Sequence, residues 1–200
     1  MMDCVLISIK PEWVKEILKG NKWIEVRKNF PKLKPPFKVY IYCTKNYYQI
    51  DCMRIFNGHV EFYEPEKVNI GTPINGKIVA EFICTEIIPF EKDDYAGNCY
   101  DISDDDFKAA CIPSMDYYWE YGKGKTLYGW RMNNINVYKE PHNIEEFTQT
   151  KYIRGYHKKP LDESKNIDIE YLLKTSRLEV NRLTRAPQSW CYVDKMNMED

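Results

Sequence analysis

The feature that most constrains this chain is a charged strand entered directly from a short helix. Residues 20–28 read Gly-Asn-Lys-Trp-Ile-Glu-Val-Arg-Lys. The preceding segment predicts a helix from Pro11 to Lys19: proline suits a first helical position, and Val14, Ile17 and Leu18 share one face. Gly20 is the expected stop, because a left-handed residue after a helix is cheapest as glycine. The chain then alternates with period two. Ile24 and Val26 take one face; Trp23, Glu25 and Arg27 take the other. An apolar face can pack inward while an aromatic ring, a carboxylate and a guanidinium share the second. Lys22 falls in the turn, so the alternation does not fix its direction.

Other segments extend the strand count. Cys4 to Ile9 reads as a first strand, Phe37 to Thr44 alternates cleanly, and Lys77 to Ile88 is the clearest strand in the chain. Asn57-Gly58 predicts a tight hairpin over 52–63, inserted into the sheet. Ser103 is a good N-cap, which explains Asp104, Asp105 and Asp106 as first-turn acids rather than as a metal cluster. A second short helix is predicted over 114–121. Residues 126–138 return to strand, with Tyr128, Trp130 and Met132 on one face and Arg131 on the other. Asn143 with Glu146 has the spacing of a capping box. Beyond 148 the composition turns polar and basic. Residues 149–167 read as a link, and Asp168 to Leu183 reads as a helix with Ile169, Leu172, Leu173, Val180 and Leu183 on one face. The expected organisation is therefore a domain over 1–148, then a linker and C-terminal helix over 149–200 whose tail docks on the domain. Many strands, few helices and short connections predict an α+β fold, a small mixed barrel with flanking short helices.

The charged and aromatic residues suggest a site. Net charge is −1, but residues 1–50 hold ten Lys/Arg against four Asp/Glu, a local balance of +6. A locally basic surface binds phosphate despite a neutral total. Arg27 can grip phosphate bidentately or stack on a base, and Glu25 shares its face; alternatively the two form a surface ion pair worth under about 1 kcal/mol. Lys22 serves as a phosphate contact or, with a depressed pKa, as a base. Ser8 and Lys10 lie at the rim of the same region. Trp130, Arg131 and the aromatic stretch from Tyr117 supply a stacking platform, or core. The seven cysteines form no C-x-x-C pair and the three histidines are scattered, which predicts reduced thiols and no metal or other cofactor. No run of 18 apolar residues predicts a membrane span, and a mean hydropathy of −0.60 fits a cytoplasmic protein. Nothing in the sequence fixes an oligomeric state.

Gly20, Lys22, Glu25 and Arg27 resemble the G-x-K-x-x-E-x-R signature of the ASCH family, a PUA-like superfamily of small β-barrels. Residues 5–18 resemble the family's opening strand and helix. Residues 75–87, 128–147 and 185–193 resemble the variant found in prophage and Gram-positive genomes. The resemblance implies RNA or nucleotide binding, and in some members chemistry on RNA or on a modified nucleoside. In relatives that hydrolyse N4-acetylcytidine, a lysine matching Lys22, a threonine three residues on and a later glutamate form the catalytic set. Here Glu25 stands where that threonine would be. The leading expectation is an RNA- or nucleotide-binding module with a basic cleft lined by Ser8, Lys10, Lys22, Glu25, Arg27, Trp130 and Arg131. The alternatives are a hydrolase using Lys22 and Glu25 on a modified nucleoside or RNA, and a protein adaptor using helix 168–183.

Overall fold

The computed structural model describes residues 4–45, 51–63, 71–93, 99–153 and 177–194. Strand β1 (Cys4–Ile9) leads into helix α1 (Pro11–Leu18), then β2 (Ile24–Arg27) and β3 (Phe37–Cys43). A hairpin of β4 (Cys52–Phe56) and β5 (His59–Tyr63) follows, with β6 (Thr72–Pro73) beside it. Two long strands, β7 (Ile78–Lys92) and β9 (Leu127–His142), enclose β8 (Tyr100–Asp101), α2 (Asp104–Ala109) and α3 (Met115–Gly122). A 3₁₀ turn (Ile144–Glu146) precedes β10 (Thr148–Ile153), β11 (Arg177–Arg182) and β12 (Trp190–Val193).

The main sheet runs in the order β12-β1-β3-β7-β9-β2, with β8 pairing to β7. Among the described residues only β1 and β3 pair in parallel, because α1 and β2 intervene as a crossover; the other pairs of this sheet are antiparallel. The fold is mixed α+β. Among the described residues no strand pair closes the order into a ring, so the sheet is an open path rather than the expected barrel. The hairpin over 52–63 forms as predicted but joins β6 in a separate three-stranded sheet instead of entering the main one.

Apolar alternation builds three cores. Val5, Ile7, Val39 and Ile41 pack under α1 on one sheet face; Leu6, Tyr40 and Tyr42 pack with Tyr138 and Phe147 on the other. A third core joins Ile24, Val26, Phe90 and Leu127 to α2 and α3 through Ala110 and Tyr118. β7 and β9 reach all three because their register shifts three times, and such bulges bend and twist a strand. Helix ends follow the predicted chemistry. Gly20 stands at φ +79°, Ser103 Oγ accepts from Asp106 N–H, and Asn143 and Glu146 form the capping box. All seven cysteines are free thiols, and burial pushes Cys43 and Cys84 up to about 12.

The predicted helix 168–183 is corrected over its last part. Residues 177–182 form β11, paired with β10, which itself occupies part of the predicted linker. Residues 168–176 lie outside the described set. The three-residue spacing of Val180 and Leu183 is helical, but in the structure Val180 lies in β11 and Leu183 just past its end, packed against the second core. The backbone of β10 supplies the hydrogen bonds that decide it, and Val180 stays 65% exposed.

Gly129 fixes how closely β2 approaches the third core. A Cβ there would lie 2.6 Å from Phe90 Cζ and 2.9 Å from Ile24 Cγ2. Gly129→Ala is therefore expected to destabilise the fold by about 1–3 kcal/mol through overpacking. A denaturant titration with an unchanged midpoint would refute that close fit.

Candidate functional site

β2 carries the charged face to a place where water is scarce. Ile24 and Val26 enter the third core. Glu25 and Arg27, on the opposite face, are only 6% and 9% exposed, and Lys22 is 3% exposed. The pair is thus no surface ion pair. Arg27 Nη2 lies 2.9 Å from Glu25 Oε1 and donates to the Ser8 carbonyl at 2.5 Å. Lys22 Nζ lies 3.6 Å from Glu25 Oε2 and donates to the Ala110 carbonyl at 2.5 Å. One carboxylate therefore sits between two cations, each also held by a backbone carbonyl. Burial is the largest influence on Lys22 and lowers its pKa; Glu25 opposes that shift without cancelling it.

These groups floor a cavity of about 410 Å³. Its walls come from separate elements: Trp13 of α1, Ile112 between α2 and α3, Tyr117 and Tyr121 of α3, and Gln188 ahead of β12. Lys22 Nζ lies 5.3 Å from the Trp13 ring centroid, and Trp13 meets Tyr117 edge-on at 6.3 Å. Tyr117 is 39% exposed and stands at the mouth. The size suits a nucleoside-sized ligand. Aromatic walls offer stacking faces, and the floor offers cationic donors beside one acceptor.

Ser8, Lys10, Lys22, Glu25 and Arg27 all line this cavity. The Ser8 hydroxyl is committed to the Pro187 carbonyl at 2.6 Å, so Ser8 holds the wall segment while its own carbonyl holds Arg27. Lys10 is exposed and lies 3.7 Å from Glu12. Trp130 and Arg131 are placed elsewhere. Trp130 is fully buried, opposite Glu25 in the β2–β9 register, with Phe37 at 6.0 Å and Trp190 at 6.1 Å. Arg131 ties β9 to Glu86 and Asp106, each at 2.9 Å, which anchors α2. Trp13, Ile112 and Gln188 join the site unannounced. Trp13 sat on a helix face beside the apolar stripe, and nothing in its spacing distinguished wall from core.

Three buried side-chain atoms lack any hydrogen-bond partner among the described residues: Arg27 Nε, Tyr118 Oη and Trp130 Nε1. All belong to β2 or to residues packed against it. Native interiors leave few such atoms, and here the three gather around one strand.

Fold and site together define an α+β domain with a charged, aromatic-walled cavity. No protein-family model and no curated protein matches the chain. Among solved structures it is similar to the crystal structure of ASCH from Zymomonas mobilis, at 15% identity and a TM-score of 0.45 over 71% of this chain and 74% of that one. Two single-substitution variants of that protein give 14% and 15% identity with TM-scores of 0.46, over 71% and 72% of this chain and 76% and 77% of theirs.

Lys22 makes the site sensitive to pH. Its folded pKa lies below 10.5, so between those values the unfolded chain binds more protons, and stability rises with pH. Denaturant titrations from pH 7 to 10.5 should show wild type gaining stability relative to Lys22→Met as the pH rises. A pH-independent difference would count against a lowered Lys22 pKa.

Proposed function

We propose that the chain is an ASCH-type module that binds RNA or a nucleotide by admitting one base to the cavity over Lys22, Glu25 and Arg27. The carrying observation is that three charges from one short stretch meet, each at least nine-tenths buried, on the floor of an aromatic-walled cavity. Burying such a cluster contributes little to stability, because desolvation offsets the ion-pair attraction. Clusters of this kind are typical of functional sites. The resemblance of residues 20–27 to the family signature supports the same reading. Trp13, Tyr117 and Tyr121 then stack on or enclose the base, Arg27 and Glu25 meet its polar edge, and Lys10 at the rim faces phosphate.

A hydrolytic reading has one observation in its favour. A lysine whose pKa burial lowers holds its neutral amine at lower pH than a free lysine does, as a general base or nucleophile requires. Glu25, 3.6 Å away, is the group to exchange its proton with. On this reading, N4-acylated cytidine or the RNA backbone is the substrate class. Wild type should turn over and Lys22→Met should not, while keeping its fold by circular dichroism. Absence of turnover in wild type would end the reading.

Binding is tested with a labelled mixed-sequence single-stranded RNA, its integrity checked afterwards. Affinity should fall roughly twentyfold from about 50 to 200 mM salt if about three phosphates are contacted. Tyr117→Ala, at an exposed position, should weaken binding by about 1–3 kcal/mol through lost stacking. Equal affinity in that variant, or salt-independent binding, would contradict the proposal.

A further inference from the structure

A second cavity of about 480 Å³ lies across a single segment of chain from the first. Thr44 lines the first cavity and Lys45 the second; Gln188 lines the first and Ala186 the second. Pro187, between them, is pinned by the Ser8 hydroxyl, and Ser8 N–H donates to the Ser189 carbonyl at 2.8 Å. The two cavities therefore share one wall at the C-terminal ends of the parallel pair β1 and β3.

The second cavity has a different chemistry. Its charged lining is Lys45, Lys77 and Arg185 against one carboxylate, Glu145. Among the described residues neither Lys45 nor Arg185 makes an ion pair, whereas Lys22 and Arg27 next door share Glu25. Two of the cations are positioned. A Cβ on Gly76 would come within 3.2 Å of Lys45 Cγ and Cε, so the bare glycine leaves room for that stem. Lys77 Nζ donates to Asn143 Oδ1. Among the described residues its aromatic lining is Tyr42 alone, so cationic and amide groups dominate it and suit a polyanionic group.

We infer that the second cavity holds a backbone phosphate adjoining the base in the first, so that the ligand is a strand of RNA crossing the 186–188 segment and not a free nucleoside. The inference rests on the proposed base-binding role of the first cavity and adds the ligand's length and direction. Lysine and arginine confer affinity through phosphate without reading sequence, so base choice stays with the first cavity. A nucleoside engages one cavity, and an oligonucleotide engages both.

The test titrates intrinsic tryptophan fluorescence with each of the four ribonucleosides and with the matching homotrinucleotides. Wild type is compared with the double variant Lys45→Glu/Arg185→Glu, both being exposed side chains, with folding checked by thermal melt. Wild type should bind its preferred trinucleotide at least tenfold more tightly than the nucleoside. The double variant should lose that gain and keep its nucleoside affinity. A gain that survives the double variant, or no gain at all, overturns the inference and leaves base binding standing. Binding of neither ligand by wild type overturns base binding and the inference with it. A hexaglutamate peptide that binds wild type and fails on the variant, with trinucleotide binding unchanged, would reassign the cavity to acidic peptides and overturn the inference as well.

Discussion

A single carboxylate held between two cations out of water organises this molecule. Glu25 neutralises one positive charge, so Lys22 and Arg27 together leave an excess the protein interior resists. The fold meets that excess with backbone carbonyls, from Ser8 for the guanidinium and from Ala110 for the ammonium. Those carbonyls belong to β1 and to the end of α2, elements far apart in the chain. The cluster therefore ties the opening strand, the motif strand and the helical cap into one arrangement. Each tie places a wall of the cavity.

The long strands make this geometry available. Among the described strands β2 pairs with β9 alone, at the end of the sheet, so both its faces depend on what packs over them. The bulges in β7 and β9 carry these strands out of the main core and under α2 and α3. That bend brings the cap over β2 and converts an edge strand into a buried one. Arg131 then fastens α2 to β9 through Asp106. Its side chain acts at a distance from the cavity, by keeping the helix that offers Ala110 where Lys22 can reach it.

Much of this was legible in local pattern. The helix-to-strand switch at Gly20, the alternation of Ile24 and Val26 against Glu25 and Arg27, the Asn-Gly hairpin and the Ser103 cap all depend on interactions within a few residues, and all formed where those interactions predicted. Burial was harder, because it depends on partners from elsewhere. Trp130 and Met132 were assigned to one face and Arg131 to the other, which is correct. Whether Trp130 faced a ligand or a core depended on Phe37 and Trp190, distant in sequence. The strand over 177–182 was read as helix for the same reason: its apolar spacing is locally helical, and the pairing with β10 that overrides it comes from elsewhere in the chain. The cavity's other walls, from Trp13 to Gln188, meet only in three dimensions.

The bond from Lys22 to the Ala110 carbonyl has a thermodynamic consequence. Ala110 belongs to the cap, and the lowered Lys22 pKa comes chiefly from the dryness that the cap maintains. Lifting the cap hydrates the ammonium and returns its proton affinity toward that of a free lysine. Opening is then linked to proton uptake and closing to proton release.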